Sequence, residues 1–180
     1  MRADDPERLA STLELLLPRI RTWLFRLLGP RAQLDDAVQD SLIEVARALP
    51  RFRGDAALTT YAHRITLRVG YRYLRRRDQQ REREVPLALV PPIAGGIDPE
   101  SHAAQREIVR RLYDCLDRLS TKRRVALVLC DLEGYTPSEA ARLLRVPGAT
   151  LRARLKHARR DVDRLLGDEP YLRRLEEGTR

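Results

Sequence analysis

The sequence predicts an all-α protein: two small helical domains joined by a Pro/Gly-rich linker, the C-terminal one a helix-turn-helix. Three observations carry this. Apolar residues recur at helical spacing over most of the 180 residues, which is the signature of amphipathic helices. No sustained alternation of β-branched residues and no Asn-Gly hairpin signal interrupts them. One stretch, holding Pro86, Pro91, Pro92 and Pro99 with Gly95-Gly96, cannot continue a helix.

Each element follows from its own signals. Residues 9–17 read as a first helix, and Pro18 suits the first turn of a second, because proline lacks only an N–H that would be orphaned there. That helix stops at Gly29-Pro30. Leu34, Val38, Leu42, Val45 and Leu49 mark the next, ended by Pro50. Residues 51–55 form a loop punctuated by Gly54. A helix of about twenty residues follows, with Leu58, Tyr61, Ala62, Ile65 and Val69 on one face and Arg75-Arg76-Arg77 at its end. The organisation is then a first domain over 1–83, a linker over 84–101, a second domain over 102–167 and a short tail over 168–180. In the second domain, Ile108, Leu112, Cys115, Leu116 and Leu119 mark one helix, and 122–130 a shorter one. Thr136-Pro137-Ser138-Glu139 is a capping box with proline at the first helical position. Arg145-Val146-Pro147 makes a turn, and 148–166 forms the last helix. A short helix, a tight turn and a longer basic helix make the helix-turn-helix plan.

Charge narrows the partner. The net charge is +9, which makes a polyanion the default ligand, either nucleic acid or an anionic membrane. Residues 51–83 are net +7 and residues 121–167 net +6, while the rest is neutral to acidic. Such segregation is not needed for solubility. All but two of the 35 basic residues, Lys122 and Lys156, are arginine. A guanidinium fork suits phosphate and guanine, and a GC-rich genome gives the same bias.

On a helical wheel, Leu151, Leu155, Ala158 and Val162 fall inward, with Ala149, Arg152, Ala153, Lys156, His157 and Arg160 opposite. That outer face is basic, and its two alanines permit close approach to a groove. Arginine can donate bidentately to guanine, and lysine to phosphate or base edges. His157 reads equally as a contact or a bystander, and His63 and His102 as structural or surface residues. In the first domain, Asp36, Gln39, Asp40 and Glu44 form an acidic stripe that suits a basic partner helix or water. Phe52, Tyr61, Tyr71 and Tyr73 alternate with arginines, as in grooves that stack bases and hold a single-stranded backbone. Tyr61 sits on the apolar face and reads as core.

Other classes drop out. Cys115 and Cys130 have no zinc spacing and allow at most one bridge; both read as buried thiols. No apolar run approaches the ~20 residues of a membrane span. Residues 1–8 carry both charge signs and no apolar core, so a secretory signal is not expected. The expectation is a cytoplasmic protein with no membrane insertion. No carboxylate cluster with metal spacing, phosphate loop or nucleophile motif occurs, so no enzyme activity, cofactor or metal is expected.

Two blocks resemble a known family. Asp36-Ala37-Val38-Gln39-Asp40, then Phe52-Arg53-Gly54-Asp55-Ala56, then a helix ending Tyr73-Leu74-Arg75-Arg76-Arg77, resembles region 2 of bacterial RNA polymerase sigma factors of the extracytoplasmic-function group. Lys122-Arg123-Arg124-Val125 through Asp131-Leu132-Glu133-Gly134-Tyr135-Thr136, followed by residues 147–160, resembles their region 4. The resemblance covers about residues 9–166.

The resemblance implies a factor that binds core polymerase, recognises and melts promoters and starts transcription. Asp36, Gln39 and Asp40 match the surface that docks on the β′ clamp helices; the β subunit is a further partner. Phe52, Arg53 and Asp55 match a loop that captures an unstacked base of the −10 element, with Thr60, Arg64 and Arg68 as further contacts on the following helix. Arg152, Ala153, Lys156, His157 and Arg160 match the face that reads the −35 element. An anti-sigma partner, often membrane-anchored, is implied as well, and the linker would thread toward the RNA channel. The chain departs from the family at Tyr61 (usually tryptophan), Ala57 (often serine), Gly148-Ala149 (usually Val-Gly) and His157 (commonly arginine). The 24 residues from 78 to 101 can span roughly 80 Å, against about 70 Å for two turns of DNA. A stand-alone helix-turn-helix repressor or activator is the alternative; it would usually dimerise, and no dimerisation helix stands out.

Overall fold

The computed structural model describes residues 6–81 and 99–167, and the chain divides into two compact units, Met1–Pro92 and Ile93–Arg180. The described residues contain helices and no strand. Residues 84–98 of the expected linker and the tail 168–180 lie outside them, as do residues 1–5 and 82–83.

The first unit is three helices: α1 (Pro6–Leu28), α2 (Leu34–Ala48) and α3 (Leu58–Arg81), with a 3-10 turn over Leu49–Arg51. Each packs on the other two. Leu16, Ile20, Leu24 and Leu27 line the inner face of α1 and meet Ala37, Val38 and Val45 of α2 and Ala62, Ile65 and Val69 of α3. Full burial of such an aliphatic side chain is worth about 1.5–3 kcal/mol. Where α3 passes α1 the approach is close: a Cβ on Gly70 would stand 2.5 Å from Leu27 Cδ2 and 3.2 Å from Leu24 Cδ2.

α1 corrects the sequence reading, which divides it at Pro18. The helix is continuous, with Pro18 inside it. Proline removes one backbone hydrogen bond and frees the carbonyl four residues back, at Glu14. Pro18, Glu14 and Leu15 all face water, so solvent can take that carbonyl and the break is not needed. The helix ends at Gly29, whose φ of 86° only glycine adopts readily. There the Arg31 guanidinium donates to the Leu28 carbonyl at 2.6 Å.

The second unit holds α4 (Pro99–Asp117), α5 (Thr121–Leu127), α6 (Pro137–Leu144) and α7 (Gly148–Gly167). α4 begins at Pro99, before residue 102, where the sequence reading starts this domain. Its core holds Leu116, Leu119, Val125, Ala126, Leu129, Ala140, Leu143, Leu151, Leu155 and Ala158, with α4, α5 and α6 each packed on α7. The helix expected over 122–130 is instead α5 followed by a π-helical turn, Val128–Leu132, in which the Glu133 N–H donates to the Val128 carbonyl at 2.9 Å. The wider turn keeps Val128 and Leu129 buried and leaves Asp131 and Leu132 exposed.

Within this core lies a charge. The Arg124 side chain is 0% exposed and donates to the buried Asp117 carboxylate, with its guanidinium 5.8 Å from the Tyr113 ring centre. A buried guanidinium is tolerated only with such a partner.

Candidate nucleic-acid interface

The last two helices are set by local chemistry. Thr136 Oγ1 accepts from the Glu139 N–H at 3.3 Å, and the Thr136 N–H donates to Glu139 Oε2 at 2.9 Å. The capping box read from the sequence is therefore formed. Hydrogen bonds from the Thr136 hydroxyl and N–H hold the Glu139 carboxyl below its ordinary range. α6 ends at Arg145, which takes the left-handed conformation with φ 53°. The Val146 N–H then closes on the Ala141 carbonyl at 3.0 Å.

α7 buries Leu151, Leu155 and Ala158, with Val162 half-buried. Arg152, Ala153, Lys156 and Arg160 consequently face water, and His157 is half-buried beside them. Two cross-helix ion pairs brace its flanks. Arg159 grips Asp131 of the π-helical turn with two bonds of 2.6 and 3.1 Å. Arg123 of α5 bonds Asp161 at 2.6 Å. Sequence reasoning missed both pairs, because their partners stand 28 and 38 residues apart and carry no local signal. Arg152, Lys156 and Arg160, by contrast, have no ion pair among the described residues. The outer face therefore keeps three cations that no ion pair among the described residues ties down.

In the first unit, Thr60 and Arg64 are half-buried and Arg68 exposed, at four-residue spacing along α3. Arg64 Nε is enclosed with no hydrogen-bond partner among the described residues. Arg53 and Asp55 are exposed on the preceding loop. Phe52 is half-buried, its ring 5.0 Å from Tyr61 and tilted 42°. The Tyr61 hydroxyl donates to the Ala48 carbonyl at 3.2 Å. Tyr61 thus holds the loop against the start of α3, but it is only half-buried, a correction to its reading as core.

The acidic stripe is not uniform. Asp36 and Gln39 are exposed, whereas Asp40 is half-buried and accepts from the Tyr73 hydroxyl at 3.0 Å. Glu44 accepts from Arg72 at 2.5 Å. Burial and the Asp40 hydrogen bond push the Tyr73 hydroxyl pKa up. Ile43, 48% exposed, lies on the same face as Asp36 and Gln39, an apolar member that the reading by charge passed over.

His63 is core: it stacks on Trp23 at 4.2 Å and 16°, and burial lowers its pKa to about 4. The side chain of His102 lies outside the described residues. Cys115 is buried, but Cys130 is only half-buried, a correction to its reading as a buried thiol. Among the described residues no group of three His, Cys, Asp or Glu side chains could hold a metal, and no helix is long and apolar enough to cross a membrane.

Comparison with known proteins gives consistent matches. The family model for sigma-70 region 2 matches residues 13–80, and that for sigma-70 region 4 matches residues 109–162. The ECF RNA polymerase sigma factor SigM of Mycobacterium tuberculosis is 35% identical over 133 residues, 74% of this chain and 64% of SigM. The chain thus spans less than two thirds of that relative's length. The ECF RNA polymerase sigma-E factor of Salmonella typhimurium is 30% identical over 156 residues, 81% of this chain and 78% of that protein. Among solved structures, the sigma factor RpoE of Bartonella quintana in complex with the anti-sigma factor NepR has a TM-score of 0.63 at 22% identity, covering 89% of this chain and 97% of that one. CnrH in complex with the cytosolic domain of CnrY has the same score and identity, covering 92% of each chain. These two likenesses concern the fold.

Proposed function

This chain belongs to the ECF sigma factors, and from that premise we propose that it binds core RNA polymerase and directs promoter recognition, melting and transcription initiation. The observation that carries the DNA-reading part is the outer face of α7, where Arg152, Lys156 and Arg160 remain unpaired while Arg159 and Arg123 are spent on bracing. In a helix-turn-helix the second helix enters the major groove. Arg152 suits a guanine edge and Lys156 a phosphate or base edge. Ala153 leaves room for approach, and His157 and Arg160 complete the −35 contact.

In the first unit, Phe52, Arg53 and Asp55 form the −10 loop. Thr60, Arg64 and Arg68 line the helix beside the separating strands. Their four-residue spacing, which sets the three side chains along one side of α3, supports this assignment. Asp36, Gln39 and Asp40 meet the β′ clamp helices, and the β subunit is a further contact. The chain itself performs no catalysis; nucleotide addition belongs to the polymerase. It acts in the cytoplasm, and an anti-sigma factor that can be membrane-anchored holds it inactive, in keeping with the complexes in which its structural neighbours are seen.

Run-off transcription with purified core polymerase tests the proposal. The full chain should yield promoter-specific transcripts that core alone does not. Lys156→Ala should weaken −35-dependent initiation with core affinity unchanged. No specific transcript, together with tight binding of the chain alone to DNA, would favour the stand-alone repressor instead.

A further inference from the structure

One contact in the second unit goes unused by the promoter reading. α7 opens at Gly148, and Arg152, one turn later, lays its guanidinium back over that position. A Cβ built on Gly148 would stand 3.3 Å from Arg152 Nη1, just short of the 3.4–4 Å of ordinary contact. The backbone does not ask for glycine here. Gly148 is the first residue of an α-helix, and it is not among the described glycines with positive φ. Its missing side chain therefore serves space rather than conformation. The guanidinium that fills the space is exposed and without an ion pair among the described residues. It lies at the N-terminal end of α7, the end of a recognition helix that reaches base edges.

We propose that Gly148 is a positioning residue for promoter choice. By leaving its side-chain space empty it lets Arg152 lie along the first turn of α7, and that placement selects the base pair the guanidinium reads. The inference rests on α7 being the −35 reader.

The geometry gives a graded expectation. Alanine at 148 asks Arg152 to give by only a few tenths of an ångström. Valine carries two methyls about 1.5 Å further out, held in one preferred helical rotamer. They claim the guanidinium's space, and Arg152 must swing away. Both residues are better helix formers than glycine, so neither should lower the melting temperature.

The test uses holoenzyme assembled from core polymerase and the full chain, selecting from a pool of random-sequence duplex DNA. Gly148→Ala should keep the wild-type upstream motif. Gly148→Val should lose discrimination at one base pair, on the order of tenfold, at the position that Arg152→Ala also relaxes. The double variant should match Arg152→Ala alone. Should Gly148→Val keep the wild-type motif while Arg152→Ala changes it, the inference on Gly148 falls and the −35 reading stands. Should Arg152→Ala change no position, both fall. An equal loss on all sequences, additive in the double variant, would mean that Gly148 is merely structural and would overturn the proposal.

Discussion

Truncating Arg124 should selectively unfold the second unit. Arg124→Ala leaves the Asp117 carboxylate enclosed without its cation and takes the guanidinium from the Tyr113 ring. Breaking a buried pair from one side costs about 3–5 kcal/mol, because the surviving charge remains desolvated. Stability of about 0.05–0.15 kcal/mol per residue over residues 99–167 amounts to roughly 3–10 kcal/mol, so the loss rivals the whole reserve of this unit. The chain's single tryptophan, Trp23, lies in the other unit, stacked on His63. Urea unfolding followed by tryptophan fluorescence therefore reports the first unit, and far-ultraviolet circular dichroism reports both. Arg124→Ala should bring a large part of the helical signal to lower urea while the Trp23 transition stays in place. The double change Arg124→Met, Asp117→Leu should recover most of the loss, since apolar replacement of a buried pair is often neutral. A shift under about 1 kcal/mol for Arg124→Ala, well below the range for a buried pair, or an equal shift of the Trp23 transition, would refute the reasoning.

Three further outcomes are expected. His63 has a folded pKa of about 4 against 6.5 unfolded. Its contribution is present in full above pH 6.5 and is lost as pH falls toward 4, on the order of 3 kcal/mol; His63→Phe should flatten that part of the Trp23-monitored stability profile. Thr136→Ala removes the acceptor at the start of α6 and should cost about 1 kcal/mol, read by thermal unfolding. The Glu139 half of the cap is present above the ordinary carboxyl range and is lost as pH falls through its lowered pKa. Asp36→Arg, on an exposed carboxylate in the first turn of α2, should weaken core-polymerase binding at a stability cost of no more than about 1 kcal/mol. Tyr73→Phe should instead cost roughly 0.5–1.5 kcal/mol of stability and leave that binding near wild type; an equal loss of binding in both variants would place Tyr73 itself in the contact.

The helical architecture was legible because apolar spacing is a local property. So was the capping box, whose four residues are contiguous. What stayed hidden depends on partners distant in sequence. Lys122-Arg123-Arg124 reads as one basic run, yet the three have different fates. Lys122 is exposed, Arg123 is half-buried and paired to α7, and Arg124 is enclosed against Asp117. Asp40 likewise reads as one more acid of a stripe, although Tyr73, 33 residues away, takes its carboxylate. Pro18 misled for the opposite reason: the local rule was sound, but solvent on that side of α1 removed its consequence. The outer face of α7 was readable because its inward residues are simple aliphatics that fix the rotation of the helix.

The contact at Gly70 bears on how this sequence can drift. A single added methyl there would press 2.5 Å against Leu27 and 3.2 Å against Leu24, so the position cannot grow until α1 yields first. Leu24 and Leu27 cannot shrink alone either, since each would leave a void costing about 2–5 kcal/mol. The three positions are thus expected to change together in related chains, as a volume shared between α1 and α3. An aligned set of sequences would reveal it as a larger residue at 70 accompanied by a smaller one at 24 or 27, with intermediates rare because either single step is penalised.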